Sequence, residues 1–561
     1  MSARNIHRTR RRRAAYTQES IFTRSKVIRA QTRRKRHNLH PSPFLRHTRP
    51  FVRRLSRPSP TGMKNGETRG DDDDDDDDAS VATVSTTATK QSGWFRHELA
   101  HVRHIVPPIV AQFGSQQLMM ATQLVYCGRI SREALTSATI AVTLWNMFWM
   151  AITGAGGTMD TLGSQAYGAK DERAVKSWAI LTTMVLFACC VPANAVLGAS
   201  KELAVAMFHA DKDRSGEIRD CALVMAASFY PLAATLGVQK YLSVRRKVWA
   251  IGATSVATLF LNVGFHHALV TVGEGGIVGS CWAMACSRVA NLLMLLAYLA
   301  MDEKWYKRGA FDEYVAAYRA ITREMLLRAV KLSLSGIVMV FGEAFSFELT
   351  VVLASSLGDV ALGAHMVMLN ICTFTFMCGP MAFGTAASIR VGNLLGAGFP
   401  ERAKRAAWLI VGISVTFMAC CALTIILCIK PIASVYTAGD ADITASLTKI
   451  APFGALFQIF DGLLGSCNGV LRACGKQHLI AVSNLFSLWF CGLLSGFLFV
   501  LVGGFGVRGV WWGLAIGVIC AGSFLALLAV RLDWERETER AKLSATNVER
   551  DEDEREEQEE V

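Results

Sequence analysis

Polar linkers are missing from most of this chain. Only 19% of its 561 residues are charged, and those gather at the two ends and in short links. A soluble chain of this length divides into several domains joined by polar segments, so that class is excluded. Cysteine spacing of metal-site or framework type is also absent. The fifteen cysteines are scattered, mostly in apolar stretches such as Cys189-Cys190 and Cys420-Cys421, with no C-x-x-C pair. They read as small packing residues. No phosphate loop is present. Gly469-Val-Leu-Arg-Ala-Cys-Gly475-Lys476-Gln477 has one residue too many between its glycines and no Ser or Thr after the lysine. With no sign of ATP use, and no constellation that makes the chain an enzyme, energy must come from an ion gradient, worth ~2.3 kcal/mol per charge per 100 mV. No cofactor is expected.

Acids are scarce at the start. The first seventy residues hold only Glu19 and Glu67 against Arg10 to Arg13 and Arg33-Arg34-Lys35-Arg36, and the run Asp71 to Asp78 follows. The tail from Asp551 to Glu560 is acidic again, so the net charge of +13 describes the arm rather than the fold. A disordered cytosolic arm that touches anionic membrane lipid fits this composition. A transit-like presequence and a specific partner site are the other readings. A chain this apolar gives no reason to invoke nucleic acid.

What is present is apolar: 52% of residues are hydrophobic. Stretches of about 20 residues recur, each able to cross ~30 Å of hydrocarbon, where only self-bonded helices survive. Twelve spans are expected near 105–127, 134–156, 175–198, 219–243, 249–272, 276–300, 328–357, 361–387, 404–429, 445–470, 478–502 and 507–531. The chain divides into a basic arm with the Asp run (1–100), a first lobe (101–300), a linker (301–327), a second lobe (328–531) and an acidic disordered tail (532–561). The linker, with Trp305, Tyr306, Phe311, Tyr314 and Tyr318, reads as an amphipathic interfacial helix. Lys and Arg are richer in the links after even-numbered spans, which puts those links and both termini in the cytosol.

The halves repeat. Ser164-Gln165 and Gly168-Ala169 are answered by Gly392-Asn393 and Gly396-Ala397. Gly237-Val238 is answered by Gly469-Val470, and Gly276-Ile277-Val278-Gly279 with Trp282 by Gly506-Val507-Arg508-Gly509 with Trp512. The lag stays near 230 residues, or six spans, giving two lobes in the same orientation about a pseudo-twofold along the membrane normal. The fold class is therefore an all-α polytopic membrane protein with twelve transmembrane helices in two pseudo-symmetric six-helix lobes.

Ionisable groups at mid-membrane cost ~2.5–3.5 kcal/mol on insertion scales and are functional by default. Glu343 and Glu348 in span seven and Asp461 in span ten qualify. Glu343 lies about 22 Å above Arg328 and Asp461 about 16 Å above Arg472 at 1.5 Å per residue, both near the midplane. No basic residue is expected at their depth. Glu348 points about 140° away from Glu343. Candidates to line a substrate cavity are Phe345, Phe347, Asn370, Phe374, Phe457, Trp149 and Gln116, the aromatics as faces for a flat cation. His266, His267 and His365 read as packing histidines, and Asp160 as a loop anchor.

Four ordered segments resemble the multidrug and toxic compound extrusion (MATE) family in its eukaryotic branch. These are Met159 to Ala169, Ser388 to Gly398, Glu343 to Glu348, and Asp461 to Gly475. The resemblance implies a monomeric MATE/MOP-like antiporter that exports organic cations, drugs or metabolites against protons, with Glu343 and Asp461 coupling and Glu348 supporting. Span one offers Gln112, Gln116 and Gln117 where prokaryotic members use an aspartate, which argues against sodium and against a first-lobe proton site. Ala344 and Phe345 stand where plant-like members carry tryptophans. A lipid-linked precursor flippase would line its cavity with arginines. A major-facilitator carrier would have a basic turn where Gly163 to Gly168 stands. Plasma membrane and vacuolar-type membrane fit equally well.

Overall fold

The computed structural model describes residues 87–208, 215–437 and 440–543. The arginine arm, the Asp run and the acidic end of the tail lie outside the described residues. Among the described residues every regular element is helical.

The described residues contain twelve long helices: α1 (Thr87–Ile130), α2 (Glu133–Gly168), α3 (Glu172–Gly198), α4 (Ser215–Val244), α5 (Val248–Val272), α6 (Gly276–Asp302), α7 (Arg323–Ser355), α8 (Asp359–Gly396), α9 (Pro400–Ser434), α10 (Ala441–Ala473), α11 (Gln477–Leu501) and α12 (Val507–Val530). The eleven from α2 onward are long and apolar enough to cross a membrane. α1 completes the set with a polar load turned into the lobe. Gln112 Nε2 donates to Gln239 Oε1 at 2.9 Å, and Gln123 Nε2 to Cys281 Sγ at 3.7 Å. Such interhelical bonds satisfy polar groups that lipid cannot.

Several helices outrun their apolar stretches. α1 begins at Thr87, so residues 87–100 are helical rather than part of a disordered arm. Buried Glu98 explains this, since it accepts from Arg390 Nη2 at 2.6 Å and Nε at 3.0 Å and ties the polar start of α1 to α8. α7 starts at Arg323, where the Thr322 side chain accepts from the Met325 amide. α8 extends to Gly396 and breaks at Gly379-Pro380, where proline supplies no amide to the ladder. The disorder expected from residue 532 fails over the described part of the tail. Residues 534–543 form a helix with Trp534 buried, and Glu537 pairs with Lys476 at 2.9 Å.

The link between halves is mostly turns, with one short helix, Asp312–Arg319, in place of the longer amphipathic helix expected. Gly309 at φ +84° turns the chain within it. Trp305 packs on Phe311 (5.4 Å) and Tyr314 (6.1 Å), while Lys176 of α3 pairs with Glu303 and Glu313. The link is thereby fastened to the first lobe.

α11 and α12 approach through glycine. A Cβ on Gly513 would sit 2.5 Å from Gly496 Cα, leaving no room for a side chain. Gly513→Val is expected to cost about 1–3 kcal/mol as an overpacked contact. Thermal unfolding in detergent should show a midpoint lowered by several degrees, and an unchanged midpoint would contradict this backbone contact.

The two lobes meet tightly at the end that carries the even-numbered links. A Cβ on Gly168 of α2 would lie 2.1 Å from Asn393 O of α8, and one on Gly396 of α8 would lie 1.9 Å from Gln165 O of α2. Gly168 meets Asn393, and its counterpart Gly396 meets Gln165, the counterpart of Asn393, the reciprocity a twofold contact requires. Gln165 Nε2 donates to Ala473 O (2.8 Å), Thr161 Oγ1 to Arg472 O (2.6 Å) and Gln477 Nε2 to Gly157 O (2.9 Å). Asp160 sits in the π-turn Met159–Gly163 at the centre of this seam.

Candidate functional site

The acids of the second lobe are held by helix packing from three sides. Trp489 Nε1 of α11 donates to the Gly342 carbonyl of α7 at 3.0 Å. That contact sets the next residue, Glu343, half-buried against α11, where Asn484 Nδ2 donates to Glu343 Oε2 at 3.1 Å. Asp461 lies in α10, whose flanking Gly462 and Gly465 let α9 and α8 close in: a Cβ on Gly465 would meet Pro380 at 2.6 Å. Asp461 is 3% exposed, and among the described residues nothing donates a hydrogen bond to it. Each acid stands four residues, about one helical turn, from the ring through which its helix meets the other, Phe347 on α7 and Phe457 on α10. Two acids in a water-poor site repel unless a cation or a proton intervenes.

The aromatic candidates divide. Phe347 meets Phe457 edge-on at 6.1 Å, joining α7 to α10, and Phe457 meets Trp511 at 6.0 Å. Phe345 stacks on Phe341 and Trp489. Glu348, Asn370 and Phe374 are exposed, and Asn370 donates back to Met366 O of its own helix. Gln116 and Trp149 are half-buried in the first lobe, with Trp149 stacked on Trp145 at 5.9 Å. An open apolar groove of about 540 Å³ between α8 and α9, lined by Phe383, Trp408 and Phe417, holds none of the acids.

His266 bonds Asn262 O at 2.8 Å and His365 bonds Thr350 Oγ1 at 3.3 Å, as packing histidines do; His267 is exposed. Asp160 anchors more than a loop. It accepts from Lys240 Nζ at 2.6 and 2.7 Å, and Arg472 Nη1 lies 3.4 Å away. Lys240 and Arg472 occupy equivalent places in the two repeats, so one acid serves both cations across the seam.

The expectation that no basic residue shares the acids' depth fails at Arg288. It lies in α6, about 21 Å from the Asp302 end at 1.5 Å per residue, and is buried. One charge in an otherwise apolar span was the signal for it, the same signal that marks Glu343 and Asp461. Asn484, by contrast, has no sequence signal, because an asparagine in a span is not unusual in itself.

The MatE family model matches this chain twice, over residues 108–266 and 336–498, once in each half and at the lag of the repeat. The chain belongs to the MatE family. This MatE transporter is 27% identical over 461 residues to the mouse (Mus musculus) multidrug and toxin extrusion protein 2, covering 80% of this chain and 77% of that one. To the multidrug resistance protein NorM of Burkholderia vietnamiensis it is 29% identical over 480 residues, covering 81% and 97%. Its fold is similar to the crystal structure of the eukaryotic MATE transporter AtDTX14, with a TM-score of 0.73 at 20% identity, covering 81% of this chain and 100% of that one. The MatE chain is thus an integral multi-pass membrane transporter.

Proposed function

We propose that this chain exports organic cations, drugs or related metabolites in exchange for protons, by alternating access. The observation that carries the proposal is that Glu343 and Asp461 each stand four residues, about one helical turn, from the contact between Phe347 of α7 and Phe457 of α10, with no basic side chain hydrogen-bonded to either among the described residues. Deprotonated, the pair attracts a cation. Protonated, it is neutral and releases one, so cargo and proton exclude each other and exchange follows. Phe347 and Phe457 supply aromatic surface on the same two helices for a flat cation. Glu348 supports the pair from the exposed side of α7. Gln112, Gln116 and Gln117 of α1 offer no carboxylate to a sodium ion, which favours protons as the coupling ion. One chain carries both lobes and acts as a monomer, in a plasma or vacuolar-type membrane with both termini cytosolic.

The test is uptake of a panel of organic cations by proteoliposomes under an imposed pH jump, with a sodium jump in parallel. The pH gradient is expected to drive uptake that a protonophore abolishes. Uptake driven by sodium alone, or by neither gradient, defeats the proposal.

A further inference from the structure

We propose that Arg288, Ser228 and the face of Trp145 form an anion-binding subsite inside the first lobe, which takes the carboxylate or sulfonate group of an aromatic zwitterion. This rests on the reading of the chain as an exporter of organic cations, and it narrows the cargo to cations that also bear an acid.

Arg288 is 6% exposed at mid-depth of α6, where a charge is retained only at a cost. Its guanidinium carbon sits 3.8 Å from the Trp145 ring centroid, and Nη1 donates to Ser228 Oγ. Among the described residues no carboxylate pairs with it, and that serine is its one hydrogen-bond acceptor. A guanidinium offers five donors in a planar fork suited to a two-oxygen anion, so most of its capacity is unfilled. Ser228 reaches it because α4 is interrupted there: Pro231, which lacks an amide hydrogen, breaks the ladder and leaves a turn at residue 228.

The repeat makes the site informative. At the lag that relates Gly237 to Gly469, the place of Asp461 is taken in the first lobe by Phe229. Phe229 stacks on Trp145 at 5.3 Å, and Trp149 stacks on both within 16° of parallel. Trp149 is half-buried, and the ring stack joins it to the buried Trp145 on which the cation rests. The Trp145 face that a cationic substrate would seek is already occupied by the protein's own cation. An acid is the group this lobe can receive, and the two lobes are therefore opposite in charge at similar depth.

The experiment measures equilibrium binding of radiolabelled 4-(trimethylammonio)benzoate and of its methyl ester to the full chain in nanodiscs. Wild type is expected to bind the zwitterion about tenfold or more tighter than the ester, the scale of a charge-assisted hydrogen bond. Arg288→Gln should bring that ratio to about one, and Arg288→Lys, which keeps the charge without the fork, should leave it intermediate. Equal binding of both probes by wild type, binding of neither, or an Arg288→Gln effect that is the same for both overturns the proposal. The Arg288→Lys ratio still decides the matter if the glutamine variant does not fold. The antiport reading is judged separately, by pH-driven uptake of the ester, which carries no acid.

Discussion

Glu343→Gln is expected to lower pH-driven cation uptake by roughly 5- to 150-fold, the usual span of a coupling free energy between two ligands of one protein, here proton and cation, because an amide neither takes up nor releases the coupling proton. The variant should still insert and fold, because glutamine is isosteric and its oxygen can keep accepting from Asn484 Nδ2, now 3.1 Å from Glu343 Oε2. Asp461→Asn should produce a loss of similar size. The double variant should be little worse than either single one, since groups that act as a unit lose their effect together. Counterflow of labelled against unlabelled cation, which needs no net proton movement, should survive better than pH-driven uptake. Comparison of the two assays in the same proteoliposomes separates lost coupling from lost folding. Normal pH-driven uptake by Glu343→Gln would remove the acid pair from the mechanism.

The second large effect is expected at the lobe seam. Gly396→Val forces a branched side chain to a point where even a Cβ would stand 1.9 Å from Gln165 O, a backbone atom. Overpacking of about 1–3 kcal/mol, placed on one of two alternating states, shifts their ratio by roughly 5- to 150-fold. The seam should open, exchange should slow accordingly, and buried Cys474 at the end of α10 should become reactive. Mass spectrometry of alkylated protein reads this directly. Unchanged Cys474 labelling together with unchanged exchange would mean that the seam tolerates the added bulk and does not gate the cycle.

Much of this molecule was written in local pattern. Runs of apolar residues marked the spans, and the glycine pairs Gly168-Ala169 and Gly396-Ala397 marked the duplication; the structure gives those glycines a reason, since each lets a repeat press on the other's backbone. Glu343 and Asp461 stood out as charges where lipid should be. Arg288 obeys the same rule, but its partners are an aromatic face and a serine, and nothing in a sequence links those residue types to a charge. The Asp160 seam was out of reach for another reason. Its cations lie 80 and 312 residues away, and only the folded repeat brings them to one carboxylate. Helix ends were the least legible, because hydropathy registers the part of a helix that meets lipid and is silent about polar turns held by partners elsewhere, as at Glu98.

That last contact changes where the amino-terminal arm can be considered to stop. Arg390 is 4% exposed and Glu98 2% exposed, so each is the other's replacement for water. Breaking a buried pair from one side commonly costs ~3–5 kcal/mol. A chain shortened to the first apolar residue of α1 would therefore strand a cation inside the opposite half of the molecule. The turns just before the membrane-crossing stretch act as a clasp between the two repeats, and in that sense the second lobe is finished by residues translated long before it.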